Sequence, residues 1–256
     1  MNARHALTDT LVLAERSLLR VRRQPDLLIG YTVQPVMFVL LFVFVFGGAI
    51  STPGFDYVDF LMPGIIVQSM AFGGFVTALG LADDMKKGLI DRFRSLPMTP
   101  GTVITGRTLA DVGLNVVQLV VMIGVGLAVG FSFATSVPDV VAGLALLLFI
   151  GYAFSWVFAF IGLIASSPEA ANAYGFTIIF PLTFVSSAFV PVQSMPAWLE
   201  PLASVNPFTV MVDAVRALFI GTPAGNNVWL AVAWATGIVV VFGTLAIWRF
   251  RRVVTR

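Results

Sequence analysis

Few residues in this chain are equipped for chemistry, and those few recur at helical spacing. Arg107, Asp111, Asn115 and Gln118 follow one another at i, i+4, i+8 and i+11 within an otherwise apolar stretch, which puts them on one face of a helix. Arg107 and Asp111 are spaced to pair. Polar side chains in such a setting either join neighbouring helices by hydrogen bonds or line a path or a subunit seam. Gln34 beside Pro35 and Gln68 beside Ser69 are weaker instances of the same pattern, and Gly126 and Gly130 form a weak GxxxG. No catalytic set emerges. The single histidine is His5 and cysteine is absent, which excludes thiolate nucleophiles, disulfides, a Cys/His metal site and a serine–histidine intramembrane protease. The chain holds no G-x-x-x-x-G-K-[ST] phosphate loop, so if ATP powers this protein, another polypeptide binds it. Apart from Asp111, expected near one end of its helix, deep carboxylates are lacking. That argues against an ion-driven transporter and against a path for a compact, highly charged cargo; an apolar or amphipathic cargo fits better.

The elements that position these residues are apolar helices. The chain is 58% hydrophobic and only 11% charged, where soluble domains carry about 25% charge. A bilayer core about 30 Å thick needs about 20 apolar residues in a helix. Six segments qualify: Leu27–Ile50, Phe60–Ala82, Leu109–Phe131, Val140–Ala165, Ala171–Val190 and Val228–Trp248. The expectation is an all-α integral membrane protein forming one domain over 1–256. Residues 1–26 make a cytoplasmic interfacial helix, 27–248 the six-span bundle and 249–256 a basic tail. No cleavable leader is expected. All but one of the 15 Lys and Arg fall before span one, between spans two and three, or after span six; only Arg216 lies on the other side. The positive-inside rule then places both termini in the cytoplasm.

Two polar segments look built for contact. Near the N-terminus, Leu7, Leu11, Ala14, Leu18 and Val21 form a helical stripe, with Glu15, Arg16, Arg20, Arg22 and Arg23 around it, a pattern for the membrane interface. Between spans two and three, Leu89, Ile90, Phe93 and Leu96 recur at helical spacing while Asp91, Arg92 and Arg94 face elsewhere, and Pro97 and Pro100 end the run. This short amphipathic helix serves either topology alone or docking of a soluble partner.

Between spans five and six, Asn206 is a suitable N-cap, Pro207 suits the first helical position and Gly221 the stop. The helix between them should have about 14 residues, roughly 21 Å, too short to span. Asp213 and Arg216 can pair on its polar face. Met195, Trp198, Leu199 and Leu202 predict a shorter apolar helix before it, with Trp198 at the interface. Together the two read as a re-entrant hairpin.

The layout resembles the permease subunits of type-2 ABC transporters, and within them the daunorubicin-resistance permease group. The resemblance runs through DFLMPGIIVQSM, GLIDRFRSLPMTPGTVITGR and MPAWLEPLASVNPFTVMVDAVRALFIG to the basic tail. It implies a multi-pass permease of the plasma or inner membrane, with no bound cofactor and no nucleic acid partner. A separate ATPase subunit would supply ATP and Mg, a second permease copy or paralogue would complete the path, and membrane lipids would surround it. It implies that Leu89, Ile90, Asp91, Arg92, Phe93, Arg94, Leu96 and Pro97 form the coupling helix gripped by the ATPase. The N-terminal helix would be a second contact, and Trp198, Asn206, Pro207, Asp213 and Arg216 would belong to an extracellular gate. Gln34, Gln68, Asp111, Asn115 and Gln118 stay open between a path and a seam. The competing expectations are an ion-gradient-driven drug transporter and a non-transporting membrane scaffold.

Overall fold

Prolines, serines and glycines punctuate the chain into helices. The computed structural model describes residues 25–50, 52, 54–87 and 100–254, and among them every regular element is helical. The expected N-terminal helix, with Glu15, Arg16, Arg20, Arg22 and Arg23, and the expected coupling helix, Leu89 to Pro97, lie outside the described residues.

Helix α1 (Pro25–Leu41) runs on into a π-helical turn, Phe42–Phe46. Helices α2 (Tyr57–Phe72) and α3 (Phe75–Lys86) are parted only by Gly73 and Gly74. Helix α4 (Pro100–Ala128) stops at Gly130, whose φ of 103° lets the Phe131 N–H return to the Gly126 carbonyl at 2.9 Å. Gly130 therefore lies past the helix as its stop signal, while Gly126 packs on the Met62 side chain of α2, 2.6 Å from where a Cβ would sit. Helix α5 (Val137–Ile164) begins on Ser136, and α6 (Pro168–Phe184) on Ser167, whose hydroxyl accepts the Ala170 N–H at 3.2 Å. After a 3-10 turn at Val192–Ser194 come α7 (Glu200–Val205), α8 (Pro207–Ile220) and α9 (Asn227–Val254).

Among the described residues, four helices are long and apolar enough to cross a membrane: Tyr57–Lys86, which joins α2 and α3, Thr102–Ala128, Val137–Ile164 and Asn227–Arg252. They coincide with expected spans two, three, four and six, although α4 starts at Pro100, well before Leu109. A shorter apolar helix covers Thr32–Phe46 within expected span one. Expected span five departs from the sequence reading. Its helix ends at Phe184 rather than Val190, because the Thr183 and Ser186 hydroxyls bond back to the carbonyls of Phe180 and Thr183 at 2.8 and 2.5 Å. Side chains thus take over the last carbonyls and the ladder does not continue. The short helix expected from Met195 also starts late, at Glu200, where Pro201 opens it. Trp198 precedes it and is 72% exposed.

Helix α5 is the hub, packed against α2, α3, α4, α6, α8 and α9. A large apolar cluster surrounds it, and a smaller one joins Leu81, Ile104, Trp156, Leu163 and Phe250. The smaller cluster marks the end of the bundle that carries Lys86, Arg107 and the arginines of α9, the basic end. Burial grades outward: 72% of the apolar window of α2–α3 lies inside the bundle, against 22% of that of α9. Helix α9 is therefore mostly surface.

Candidate functional site

Helices α1, α2, α3, α4 and α6 enclose a half-open cleft of about 310 Å³. Its polar lining is Gln34, Gln68, Ser69, Gln118 and Asn172, and Phe38, Phe72, Phe75, Phe176 and Phe180 supply most of the rest. Among the described residues, no ionisable side chain lines it. The helix break at Gly73–Gly74 lets Phe72 and Phe75 stack at 5.5 Å with an interplanar angle of 12°. Phe176 of α6 lies 5.7 and 5.1 Å from the two rings. Rings continue along α6 through Phe180 and Phe184 to Phe189, which stacks on Phe42 of the α1 extension at 4.7 Å. Across the cleft wall the Gln68 side-chain amide donates to the Thr183 hydroxyl at 3.2 Å, tying α2 to α6. Such a cleft offers flat apolar faces and amide donors and acceptors, the complement of a flat, uncharged amphipathic molecule.

The structure thus gathers Gln34, Gln68 and Gln118 around one space and leaves Asp111 and Asn115 out of its lining. Asp111, Asn115 and Gln118 are all buried on the inner face of α4. Asp111 accepts a hydrogen bond from the Thr77 hydroxyl of α3 at 2.9 Å, so at this level the polar face of α4 is an interhelical seam. Arg107 does not take Asp111 as its salt-bridge partner, as the spacing predicted; it pairs with Asp84 of α3. Gly80 lies under the pair, with the Arg107 guanidinium 3.0 Å from where a Cβ would sit.

At the end opposite the basic one, α8 holds a second polar node. Asn206 accepts the Phe208 N–H at 2.9 Å, as a cap should. Its amide also donates to the carbonyls of Leu182 and Val185 at 2.8 and 2.5 Å, closing the C-terminus of α6. Pro207 stands at the start of α8, and Gly221 ends it at φ 75°. Asp213 and Arg216 pair at 2.7 Å, as their spacing predicted, and the face that carries them is turned into the bundle. Arg216 is 4% exposed. It donates to the carbonyls of Phe60 at 3.0 Å and Ser187 at 2.9 Å and lies over the Phe60 ring at 3.7 Å. The Ser187 hydroxyl donates to Asp213 at 2.7 Å. Helix α8 is buried nearly all round because it packs on α2, α5 and α9, so its one cation serves backbone carbonyls instead of water.

The sequence reading missed the ring ladder, Asn172, Thr183 and Ser187. Phe176, Phe180 and Phe184 at four-residue intervals were its legible trace.

A family model described as ABC-2 type transporter matches residues 8–220. The chain belongs to the ABC-2 type transporter family. The matched region of this ABC-2 protein takes in the cleft and α8 and leaves α9 beyond it. Among similar proteins, the daunorubicin resistance ABC transporter permease protein DrrB1 of Streptomyces coeruleorubidus is 32% identical over 246 residues, 96% of this chain and 87% of that one. The probable doxorubicin resistance ABC transporter permease protein DrrC of Mycobacterium tuberculosis is 24% identical over 240 residues, 93% and 87% of the two chains. The probable multidrug ABC transporter permease YbhR of Escherichia coli is 25% identical over 206 residues, 78% of this chain and 54% of that one. ABC-2 permeases are multi-pass membrane proteins that work with an ATPase subunit and do no covalent chemistry themselves.

Proposed function

We propose that this ABC-2 permease exports a hydrophobic or amphipathic drug or lipid, powered by ATP and Mg held in a separate ATPase subunit. The observation that carries the reading is the uncharged cleft walled by phenylalanines and amides. The flat fused rings of an anthracycline of the kind named for the relatives suit such walls, with the cationic amino sugar left outside them. Helix α1 with its π-helical turn and α6 complete six spans, and both termini face the cytoplasm together with the basic end. The segment from Leu89 to Pro97, with Asp91, Arg92, Phe93 and Arg94, docks the ATPase, and the helix bearing Glu15, Arg16, Arg20, Arg22 and Arg23 is a second contact. The turn holding Trp198, helix α7 and helix α8 form an extracellular re-entrant gate pinned by Asn206, Pro207, Asp213 and Arg216. A second permease, identical or a paralogue, faces this one across the path.

The test is a gentle-detergent pull-down of the tagged chain from its own membrane, followed by reconstitution of what co-purifies. The expected result is a stoichiometric subunit carrying a phosphate-loop motif, whose ATP hydrolysis daunorubicin stimulates. Drug transport by the chain alone, without such a subunit, overturns the proposal in favour of an ion-driven carrier.

A further inference from the structure

Helix α9 ends in a cluster that the export path does not use. Phe250 and Ala246 fix this end of the helix in the smaller apolar cluster. That fixes which side faces outward: Val240, Val241, Thr244, Leu245, Trp248, Arg251 and Arg252 are all exposed. The stripe changes character along its length. It is apolar up to Leu245, aromatic at Trp248 and cationic at Arg251 and Arg252, with the Arg252 guanidinium 4.1 Å above the Trp248 ring. From Val241 to Arg252 is eleven residues, about 17 Å of helix, close to one leaflet of a bilayer whose core is about 30 Å thick. A phospholipid lying along this stripe would place its acyl chain on Val241 and Leu245, its glycerol region at Trp248 and its phosphate at the arginines.

The charge selects among lipids. Cations at a helix C-terminus also complement the helix dipole, but the dipole calls for no aromatic platform and no lipid-facing stripe leading to it. A guanidinium stacked on an indole is held flat with its edge N–H groups pointing outward, and that fork matches phosphate oxygens. We infer that Trp248 and Arg252, with Arg251 beside them, form a site for an anionic phospholipid headgroup in the leaflet at the basic end. This rests on the membrane embedding of α9 and is independent of what the cleft carries.

The experiment uses the full chain in phosphatidylcholine vesicles containing dibrominated phosphatidylglycerol or dibrominated phosphatidylcholine. The part of tryptophan quenching lost in Trp248→Phe reports lipid at this site. Brominated phosphatidylglycerol should quench at about a fivefold lower mole fraction for each arginine engaged. The preference should fall toward parity in Arg251→Gln/Arg252→Gln and on raising salt from about 50 mM to about 1 M. Equal quenching by the two lipids overturns the inference, as does a preference that survives loss of both arginines. Displacement of phosphatidylglycerol by millimolar inorganic phosphate also overturns it, since the site would then be one for a free anion. If the glutamine variant fails to insert, an unchanged preference of the wild-type chain at high salt overturns it just as well.

Discussion

Replacing Arg216 by methionine keeps much of the side chain's volume and removes its charge from the interior. The guanidinium is 5% exposed and its partner carboxylate 33%. The change leaves Asp213 with the Ser187 hydroxyl and strips a donor from the carbonyls of Phe60 and Ser187. Breaking one side of a buried ion pair costs about 3–5 kcal/mol. Because Asp213 is a third exposed and can recover water, the low end applies, about 3 kcal/mol. For a chain of this size, each kcal/mol moves the unfolding midpoint by about 2–4 °C, so Arg216→Met should melt about 6–12 °C below wild type. The assay is thermal unfolding of the purified chain in detergent, followed by tryptophan emission. Adding Asp213→Leu should return part of the loss, with a coupling of at least about 1 kcal/mol, since no buried charge is then left alone. A shift below about 2 °C, or strict additivity in the double mutant, would refute the argument that this node is held by charge pairing in a buried setting.

Other perturbations test the remaining contacts. A Cβ at Gly64 would lie 2.7 Å from the Ala188 Cα, against backbone that cannot swing aside, so Gly64→Val should cost about 1–3 kcal/mol. Gly48→Ala, with nothing within 4 Å, should leave the melting point unchanged; the same thermal scan reads both. Phe176→Ala and Gln68→Leu should each raise the drug concentration for half-maximal stimulation of ATP hydrolysis by about 2–10-fold. Trp229→Ala, far out on α9, should not, and equal effects at all three positions would remove the cleft from the mechanism. Arg92→Glu with Arg94→Glu should leave membrane insertion intact and abolish co-purification of the ATPase; retained co-purification sends the docking assignment elsewhere.

Helix positions were legible where the code is local. Asn206, Pro207 and Gly221 bound α8 as their types require; Ser136 and Ser167 cap α5 and α6 in the same way, ahead of the apolar runs read from Val140 and Ala171. Apolar run length located the long helices. Where the answer depended on a neighbour, local pattern failed. Nothing in the spacing of Arg107 and Asp111 shows that Asp84, across a glycine, is the arginine's partner. Nothing in α8 alone shows that the face with Arg216 meets the carbonyls of α2. The end of α6 was misplaced because residues 185–190 are as apolar as a span, while the hydroxyls that end the helix act through geometry. The cleft followed the same division. Three of its amides, Gln34, Gln68 and Gln118, stood out as polar letters in apolar text; Asn172 and the phenylalanines did not, since a ring in a membrane helix looks the same whether it faces lipid, core or ligand.

Helix α6 buries only Ala171, Gly175, Ile179 and Thr183, one residue per turn. The demands of holding the bundle together are thereby confined to four small or medium side chains. Asn172, Phe176 and Phe180, which face the cleft, fall between them and are exposed. If the cleft binds the cargo, as proposed, folding and cargo binding rest on separate letters of the same helix. Under that proposal, substitution at the cleft-facing letters would change what the protein recognises while the scaffold stays fixed, so the range of compounds handled would drift faster than the architecture.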